Sequence, residues 1–461
     1  MRIEQIRIRN FHCYKDETFD FSDSTTILIG KNGSGKSSLL RAIKNALSIF
    51  FSSNPQWGYP PIVGDVTDLG VSNLGSDEIW HDERMTPAPY VDISVNAKWG
   101  GNRLDWKFFK PSKPKSKLHS TLYKDAYIAF MQQYVDTDHL PMFAYYSDRF
   151  PHIDTKLGKA IKEMIDNDEQ LYRGWGYYHW DYDTSCASIW QKRFIRIYLL
   201  RSRYRNNYDE LQDKGTDEAL FYKSEIDKYS KEIDYVYSYL KRFTNNDDQN
   251  LSDQSDYLTI NNLIVDGIDS PYIVAIFSDG SRRRWDELPA GFERLFNIVF
   301  DIAYRSYILN GADTEASGIV MIDELDLHLH PSMEQDAIYR LTTTFPNVQF
   351  IISTHSPLVI SNFRQADGGM IIQMELSDSG EYTHYQVSDI FGMGYDTTLS
   401  LVMRTEPNNV HLQMLKDRYI RLMRRGKTER ASETLDELRA NLTESLFNKT
   451  KTELSQAVAQ S

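Results

Sequence analysis

The segment that most restricts what this chain can fold into is Gly30-Lys31-Asn32-Gly33-Ser34-Gly35-Lys36-Ser37, near its start. It matches the phosphate-binding loop pattern GxxxxGK[ST] at every required position. Residues 25–29 before the loop form the apolar run of a buried strand. The residues after the loop have helical spacing of apolar side chains, at Leu39, Leu40, Ile43 and Leu47. Because strand, loop and helix follow in this order, a chance match is the weaker interpretation.

Each residue type in this loop has a physical role in holding phosphate. Glycines let backbone N–H groups turn toward the phosphates, and the N-terminus of the following helix adds partial positive charge. Lys36 can reach the β- and γ-phosphates, and the Ser37 hydroxyl can bind Mg²⁺. The sequence therefore predicts ATP and Mg²⁺ as cofactors, in a site formed by Gly30, Lys31, Asn32, Gly33, Ser34, Gly35, Lys36, Ser37 and Ser38.

A second block lies far along the chain, where the apolar run 318–322 ends in Asp323-Glu324. Such a run is typical of a central parallel strand, and ligands of open α/β sheets bind at the carboxyl ends of the strands. We therefore expect Asp323 to face the metal ion and Glu324 to be the catalytic residue that orients the attacking water. For this pair alone, a capped strand end is an equally good interpretation.

A third apolar run, 348–352, ends in Ser353-Thr354-His355-Ser356-Pro357. If this run is a neighbouring strand, His355 lies beside the γ-phosphate and is a second catalytic candidate. The three blocks occur together and in this order, so a purely structural explanation for all of them is remote.

The order of the blocks resembles that of the SMC, RecF and Rad50 group of ABC-type ATPases and the ATPase half of overcoming-lysogenisation-defect nucleases. The resemblance lies in the opening residues 6–11 and in the blocks 323–331 and 353–357. It implies an α/β fold, an ABC-type (SMC/RecF-like) P-loop ATPase head with a side β-sheet, a helical insertion and a C-terminal helical hairpin. In such heads each ATP lies between two protomers, under a signature loop of the other subunit.

The signature loop candidate is Leu288, Pro289, Ala290 and Gly291, after a hairpin cue at Asp279-Gly280. The resemblance implies that these residues, with Asp326, act in trans on the nucleotide of another subunit. The commoner family form has serine where this chain has Pro289, so a hydroxyl that would bond the γ-phosphate is missing. Proline suits a first helical turn, and backbone N–H groups near Gly291 could hold an anion. We expect closure on ATP with slow hydrolysis.

Composition restricts the class of protein further. No apolar run approaches the roughly 18 residues that span a bilayer, and the N-terminus is charged rather than signal-like, so we expect a cytoplasmic protein without membrane contact. The cysteines, Cys13 and Cys186, form neither a disulfide framework nor a metal cluster. The net charge of −13 argues against a surface coated for nucleic acid, although local basic patches remain possible.

The chain reads as a split ATPase with inserted material. We expect residues 1–150 to form the N-terminal lobe with the P-loop and side sheet, and 151–260 a helical insertion. Residues 261–407 would form the second lobe, with the signature, the carboxylate pair and the switch histidine. The remaining residues, 408–461, would form a helical hairpin for oligomer or partner docking.

Basic residues in two places could contact DNA directly. One group interleaves with aromatic residues, at Lys192, Arg193, Arg196, Arg201, Arg203 and Arg205, and the second is Arg282-Arg283-Arg284. For the two arginine groups we favour solvated faces that pair with the many acidic residues nearby.

The last hundred residues help to choose among the families that share these motifs. After residue 360 there is too little chain for the metal-binding domain of the overcoming-lysogenisation-defect nucleases. Instead, apolar stripes of two helices follow, at Leu412, Leu415, Tyr419 and Leu422 and at Ala431, Leu435, Leu438, Leu442 and Leu446. With the 288–292 and 328–330 loops, this ending is similar to the PtuA family, the ATPases of Septu anti-phage systems. The same motifs occur in PARIS and retron-associated defence ATPases.

The PtuA resemblance implies a homo-oligomeric ATPase scaffold that recruits and controls an HNH nuclease of the PtuB type, encoded nearby, with DNA reached through the complex. The hairpin would be packed on its own head or would dock the partner. The alternative is a RecF-like repair or maintenance ATPase that binds DNA itself. A transporter subunit is the weakest of the three, because the His-Leu-His-Pro loop and the split core do not suit it.

Overall fold

The computed structural model describes residues 1–62, 69–113, 115–147, 163, 165, 172–181, 187–211, 216–245, 258–377, 380–388, 390–403 and 410–459. The chain divides into two compact units, Met1–Gly392 and Met393–Ser461. None of the helices in the described ranges is long and apolar enough to cross a membrane.

The described strands all lie in the first unit. In chain order they are β1 (Arg2–Phe11), β2 (Tyr14–Asp20), β3 (Thr25–Ile29), β4 (Tyr90–Trp99), β5 (Asn102–Pro111), β6 (Met142–Tyr146), β7 (Ile260–Asp266), β8 (Tyr272–Phe277), β9 (Arg282–Arg284), β10 (Ser317–Ile322), β11 (Asn347–Ser353), β12 (Met370–Leu376) and β13 (Tyr382–Val387).

Helices of the first unit are α1 (Lys36–Leu47), α2 (Lys124–Thr137), α3 (Ala187–Leu211), α4 (Asp217–Thr244), α5 (Ala290–Asn310), α6 (Pro331–Thr344) and α7 (Pro357–Ser361). Those of the second unit are α8 (Tyr395–Thr397), α9 (Val410–Arg424), α10 (Thr428–Asn441) and α11 (Glu444–Ala459). A π-helical turn, Thr398–Val402, follows α8.

A six-stranded sheet in the order β13-β12-β3-β11-β10-β6 forms the centre of the first unit. All neighbouring pairs are parallel except β12 and β13. The side chains of β3 and β6 are all buried, as the apolar runs predicted. Because β11 lies between β3 and β10, the three predicted blocks leave the sheet at the same edge. The α/β fold class is confirmed.

A four-stranded antiparallel sheet, in the order β2-β1-β4-β5, forms the predicted side sheet. It joins the central sheet through Gln349, a fully buried amide on β11. Its Nε2 donates to the Ile3 carbonyl at 2.8 Å, and its Oε1 accepts from the Ile3 N–H at 2.8 Å. A buried amide whose groups are bonded costs little to desolvate and fixes the register of the two sheets.

The described part of the insertion is mainly helical, in α3 and α4, with a 3-10 turn at Arg173–Tyr177 before them. These helices are joined by a buried salt bridge, in which Arg193 Nε lies 3.1 Å from Glu232 Oε1. The interpretation of the first arginine group as a solvated face is therefore wrong for Arg193, although it does pair with an acidic residue. Parts of the predicted insertion, such as 151–162 and 246–257, lie outside the described residues.

The second unit has its own apolar core, formed by Leu415, Leu438, Phe447 and Leu454, with Leu412, Tyr419, Ile420, Leu435 and Leu442 packed against it. The predicted two-helix hairpin is thus incomplete, because α11 covers it as a third helix. Most leucines of the predicted stripes face this core and are not free for a partner. The final helix escaped sequence reasoning because its buried stripe includes a threonine, Thr450, between Phe447 and Leu454.

Candidate nucleotide-binding site

The loop between β3 and α1 has the backbone of a phosphate cradle. Gly30, Gly33 and Gly35 have φ values of 151°, 82° and 102°, which side-chain-bearing residues rarely adopt. Space also requires glycine at two of them. A Cβ on Gly35 would lie 2.5 Å from the Tyr14 hydroxyl oxygen, and one on Gly30 would lie 2.2 Å from the Met374 carbonyl oxygen.

Lys36, the first residue of α1, folds its side chain back over this loop. The side chain is buried, and its ammonium donates to the carbonyls of Gly30 (2.8 Å) and Lys31 (3.2 Å). Burial lowers the pKa of Lys36, while the nearby carboxylates of Asp323, Glu324 and Asp326 oppose that shift. The ammonium therefore lies between the loop and the carboxylates that follow β10.

Asp323 and Glu324 are held by one hydroxyl. Ser353 Oγ donates to Asp323 Oδ1 at 2.5 Å and accepts from the Glu324 N–H at 2.8 Å. Asp323 is only 3% exposed, and its N–H donates to the Tyr146 carbonyl at 2.8 Å. Glu324 has a left-handed φ of 50°, which ends the strand geometry at this residue. The Glu324 side chain lines the cleft above the loop.

Arg294, which sequence reasoning missed, holds the same turn from the other side. It is fully buried in α5 and donates from Nη2 to the carbonyls of Asp323 (2.9 Å) and Glu324 (3.1 Å). The only signal in the sequence is an arginine directly before the apolar segment 295–300. A buried charge at such a place needs hydrogen-bond acceptors, but the sequence does not say which.

Asp326, in the loop after β10, contacts the loop after β11 that carries His355. Asp326 Oδ1 accepts from Thr354 Oγ1 at 2.5 Å and from the His355 N–H at 3.1 Å. Burial, and then the charge of Lys36, lower the pKa of His355. The lowered pKa favours the neutral form of the imidazole. Asp326 thus contacts Thr354 and His355 of its own chain. Its predicted action in trans, on the nucleotide of another subunit, stays a prediction.

These parts share one cleft of about 300 Å³. Its lining is Cys13, Asn32, Gly33, Gly35, Lys36, Ser37, Ser38, Glu324, His355 and Tyr382. The lining thus includes both predicted catalytic residues and most of the predicted ATP-binding residues, but not Gly30, Lys31 or Ser34. Cys13 and Tyr382 were missed, because they come from the β1–β2 turn and the edge strand β13, where no motif marks them.

The signature candidate does not line this cleft. Pro289 and Ala290 are exposed at the start of α5, whereas Leu288 and Gly291 are buried. A Cβ on Gly291 would lie 2.7 Å from the His328 carbonyl oxygen. Glycine is therefore required at this position by a contact within the chain. The predicted reason, space for the phosphate of another subunit, is not needed to explain it.

The residues predicted to hold Mg²⁺ have suitable atoms available. Within the described ranges, neither the Ser37 hydroxyl nor Asp323 Oδ2 has a hydrogen-bond partner. A hydroxyl and a carboxylate are hard oxygen donors, which Mg²⁺ prefers and completes with phosphate oxygens and water. The donor set therefore fits this ion.

A phosphate cradle and a lysine over it, with Glu324 and His355 in the same cleft and Asp323 next to Glu324, are the parts of a P-loop ATPase site. The chain belongs to the AAA ATPase domain family, whose profile matches residues 1–360.

The chain is similar in sequence to several named ATPases, and the share of the chain that aligns differs among them. It is 26% identical to the protein named "Retron Vc95 probable ATPase" of Vibrio cholerae serotype O1 biovar El Tor, over 92% of this chain and 85% of that protein. It is 24% identical to "Retron Ec83 probable ATPase" of Escherichia coli, over 78% of this chain and 69% of that protein. Identity to the Septu protein PtuA of Bacillus mycoides (strain KBAB4) is 27%, over 45% of this chain and 29% of that protein. The PtuA resemblance is confirmed, and the retron ATPases match over a longer stretch.

Proposed function

We propose that this protein is an ATP-binding and ATP-hydrolysing homo-oligomeric scaffold of an anti-phage defence complex, which recruits and controls an HNH-type nuclease. The observation that carries the ATPase part is the single cleft shared by Lys36, Glu324 and His355. Similarity to retron and Septu proteins supports the defence role.

In the proposed reaction, the backbone N–H groups of the loop and the Lys36 ammonium bind the phosphates of ATP. Glu324 accepts a hydrogen bond from the attacking water and orients it, and neutral His355 contacts the γ-phosphate. Ser37 and Asp323 would hold Mg²⁺, which neutralises charge on the phosphate oxygens when bound. Ser353 and Arg294 fix the backbone that carries Glu324.

Assembly would complete the site. Pro289 and Ala290 are exposed at the N-terminus of α5, where free backbone N–H groups can meet the phosphate of a second subunit. Pro289 offers no hydroxyl to that phosphate, so we propose slow turnover and long-lived ATP-bound assemblies.

The second unit is the proposed docking site for the nuclease. Its leucine rows are buried in its own core, but large apolar side chains remain exposed, among them Leu401 (68%), Met414 (64%) and Leu446 (46%). Exposed apolar side chains of this size favour contact with another protein. Docking would therefore use these side chains and not the predicted leucine stripes.

The test is co-purification with the product of the adjacent gene in the presence of ATP. The variant M414E/L446E should lose the partner and keep ATP binding, because both side chains are exposed. The control I268E changes Ile268, which is 99% exposed in the first unit, and should keep the partner. Partner retention by M414E/L446E contradicts the docking site. A neighbouring gene for replication or for a permease, with no nuclease, contradicts the defence role.

A further inference from the structure

A buried carboxylate on α5, Asp301, is not part of the cleft lining but is heavily bonded. Asp301 is fully buried, and it accepts hydrogen bonds from Arg305 Nε (2.6 Å), the Tyr146 hydroxyl (2.6 Å) and Trp190 Nε1 (2.5 Å). A buried charge requires such partners. Arg305 lies one turn further along the same helix and balances the charge locally. The other two donors come from distant parts of the chain, so Asp301 joins those parts.

Tyr146 connects this carboxylate to the turn that carries the acidic pair. It is the last residue of β6, the strand at one edge of the central sheet. Its hydroxyl donates to Asp301, and its backbone carbonyl accepts from the Asp323 N–H at 2.8 Å. An edge strand has a neighbour on one side only, so a side-chain bond at its end adds a constraint that the sheet does not supply. The backbone position of Asp323 therefore depends on the bond between Tyr146 and Asp301.

Trp190 connects the same carboxylate to the insertion. It lies on α3, is fully buried, and its ring stacks on Tyr304 of α5 with 5.7 Å between centroids. Its neighbour Gln191 donates from Nε2 to Asn297 Oδ1, also on α5, at 3.1 Å. Trp190 bonds Asp301 Oδ1, whereas Tyr146 bonds Oδ2. The two oxygens of one carboxylate thus bond an inserted helix and the end of β6.

The segment of the insertion before α3 holds the same strand and the same helix. The Tyr145 N–H on β6 donates to the Trp180 carbonyl at 2.7 Å. Arg305, the partner of Asp301, donates from Nη1 to the carbonyls of Gly176 (3.1 Å) and Tyr178 (2.8 Å). The described part of the insertion, α5 and the end of β6 are therefore linked by hydrogen bonds around Asp301.

α5 supports the acidic turn at two points. Arg294 and Asp301 are about two helical turns apart and so lie on one face of α5. Arg294 bonds the carbonyls of the turn directly, and Asp301 acts through the neighbouring strand. We propose that Asp301 is a positioning residue for ATP hydrolysis, which fixes Asp323 through Tyr146 and makes its position depend on α3 through Trp190. This inference rests on the proposed ATPase function. A change in the insertion would then alter hydrolysis without any contact to the cleft.

The first experiment removes one hydroxyl. The variant Y146F loses the bond to Asp301 but keeps the ring and the backbone bond to Asp323. The matched control is Y177F, because the Tyr177 hydroxyl is also buried and donates to the Pro141 carbonyl at 2.7 Å, just before the other end of β6. The measurements on the full-length protein are kcat for ATP hydrolysis, urea unfolding, and affinity for a fluorescent ATP analogue, with Mg²⁺ and with a chelator.

Both variants should unfold at lower urea concentration than wild type, since each loses one buried hydrogen bond. Y146F should also lower kcat about 10-fold, the size expected for the loss of one bond to a charged group. It should reduce the gain in analogue affinity that Mg²⁺ gives, because Asp323 is a proposed ligand of that ion, and leave affinity in chelator unchanged. Y177F should alter neither kcat nor the Mg²⁺ gain. Wild-type values of both for Y146F, or an equal loss in Y177F, would overturn the positioning role.

The second experiment tests the link to the insertion with W190F, which removes the Nε1 donor, and with the double variant Y146F/W190F. Because both bonds end on one carboxylate, the two reductions in kcat should not multiply, and the double variant should exceed their product about 3-fold or more. Full multiplication, or a wild-type kcat for W190F, would refute the link. A wild type that neither binds nor hydrolyses ATP would contradict the proposed function itself, whereas an active wild type with an unaffected Y146F contradicts this inference alone.

Discussion

Ser353 supplies one hydroxyl that contacts both residues of the proposed catalytic turn, Asp323 and Glu324. Its Oγ donates to Asp323 Oδ1 at 2.5 Å and accepts from the Glu324 N–H at 2.8 Å. The substitution Ser353→Ala removes both bonds and changes little else, because the side chain is fully buried and loses only one atom. It therefore tests whether this hydroxyl positions the catalytic turn.

The size of the effect follows from the two bonds. A hydrogen bond to a charged group contributes about 1.5–3 kcal/mol, and a neutral one about 0.5–1.5 kcal/mol. If the bond to the Asp323 carboxylate is needed in the transition state, kcat for ATP hydrolysis should fall about 10- to 100-fold, since about 1.4 kcal/mol is tenfold in rate. ATP affinity should change little, because the loop and Lys36 are untouched.

A matched control separates positioning from stability. Ser48 is also buried, and its Oγ donates to the Asn45 carbonyl (2.7 Å) and accepts from the Ser72 N–H (2.8 Å), away from the cleft. Ser48→Ala should therefore lower the free energy of unfolding by about 1–3 kcal/mol, as two lost bonds predict, and leave kcat unchanged. Steady-state ATP hydrolysis and urea unfolding of both variants are the measurements. Hydrolysis by Ser353→Ala within twofold of wild type would refute the positioning role.

The other substitutions test the cleft and its surroundings. Lys36→Ala should abolish ATP binding in a nucleotide-binding assay, because the ammonium is the main charge on the phosphates; undiminished affinity would overturn the site. Glu324→Gln should bind ATP and hydrolyse it at least 10-fold more slowly, with ATP-bound assemblies that persist longer in size-exclusion chromatography; wild-type turnover would remove Glu324 from its role. Gly291→Ala should lower the free energy of unfolding by about 1–3 kcal/mol, since its Cβ would press on the His328 carbonyl; equal urea midpoints would show that the backbone yields. For His355, the folded-state pKa is lowered from 6.5, so the unfolded chain binds the proton more readily and stability is lost as pH falls below about 6.5. His355→Gln should lose less stability than wild type between pH 7.5 and 5.5 in urea unfolding, and an equal loss would contradict this.

Local features of the site could be predicted from the sequence because each is encoded within a few residues. The loop 30–37, the apolar strands and the acidic pair after β10 are patterns of adjacent residues, and parallel strands bring their ends together without further information. The residues that complete the site could not be predicted in this way. Tyr14 packs on Gly35, and Arg294 reaches the carbonyls of Asp323 and Glu324, through contacts that depend on how distant elements pack.

Gly291 shows that the same residue can be explained by two different reasons. The sequence marks a glycine near a helix N-terminus, and both close approach of a ligand and close approach of the backbone explain that choice. Only the structure shows that the His328 carbonyl is the neighbour. The C-terminal apolar stripes are ambiguous in the same way. A row of leucines predicts burial, but it does not say whether a helix of the same chain or another protein covers it.

One helix joins the surface proposed for assembly to the catalytic turn. α5 begins at Ala290, beside exposed Pro289, and its Arg294 bonds the backbone carbonyls of Asp323 and Glu324 little more than one helical turn later. If a second subunit displaced the start of this 21-residue, largely buried helix, we would expect the displacement to reach Glu324 through Arg294. Gly291 packs closely against the loop that contains His328, with no room for a Cβ, so the helix start has little free space around it. If the proposed assembly forms, contact between subunits at Pro289 and the orientation of Glu324 would be coupled through this helix within each protomer.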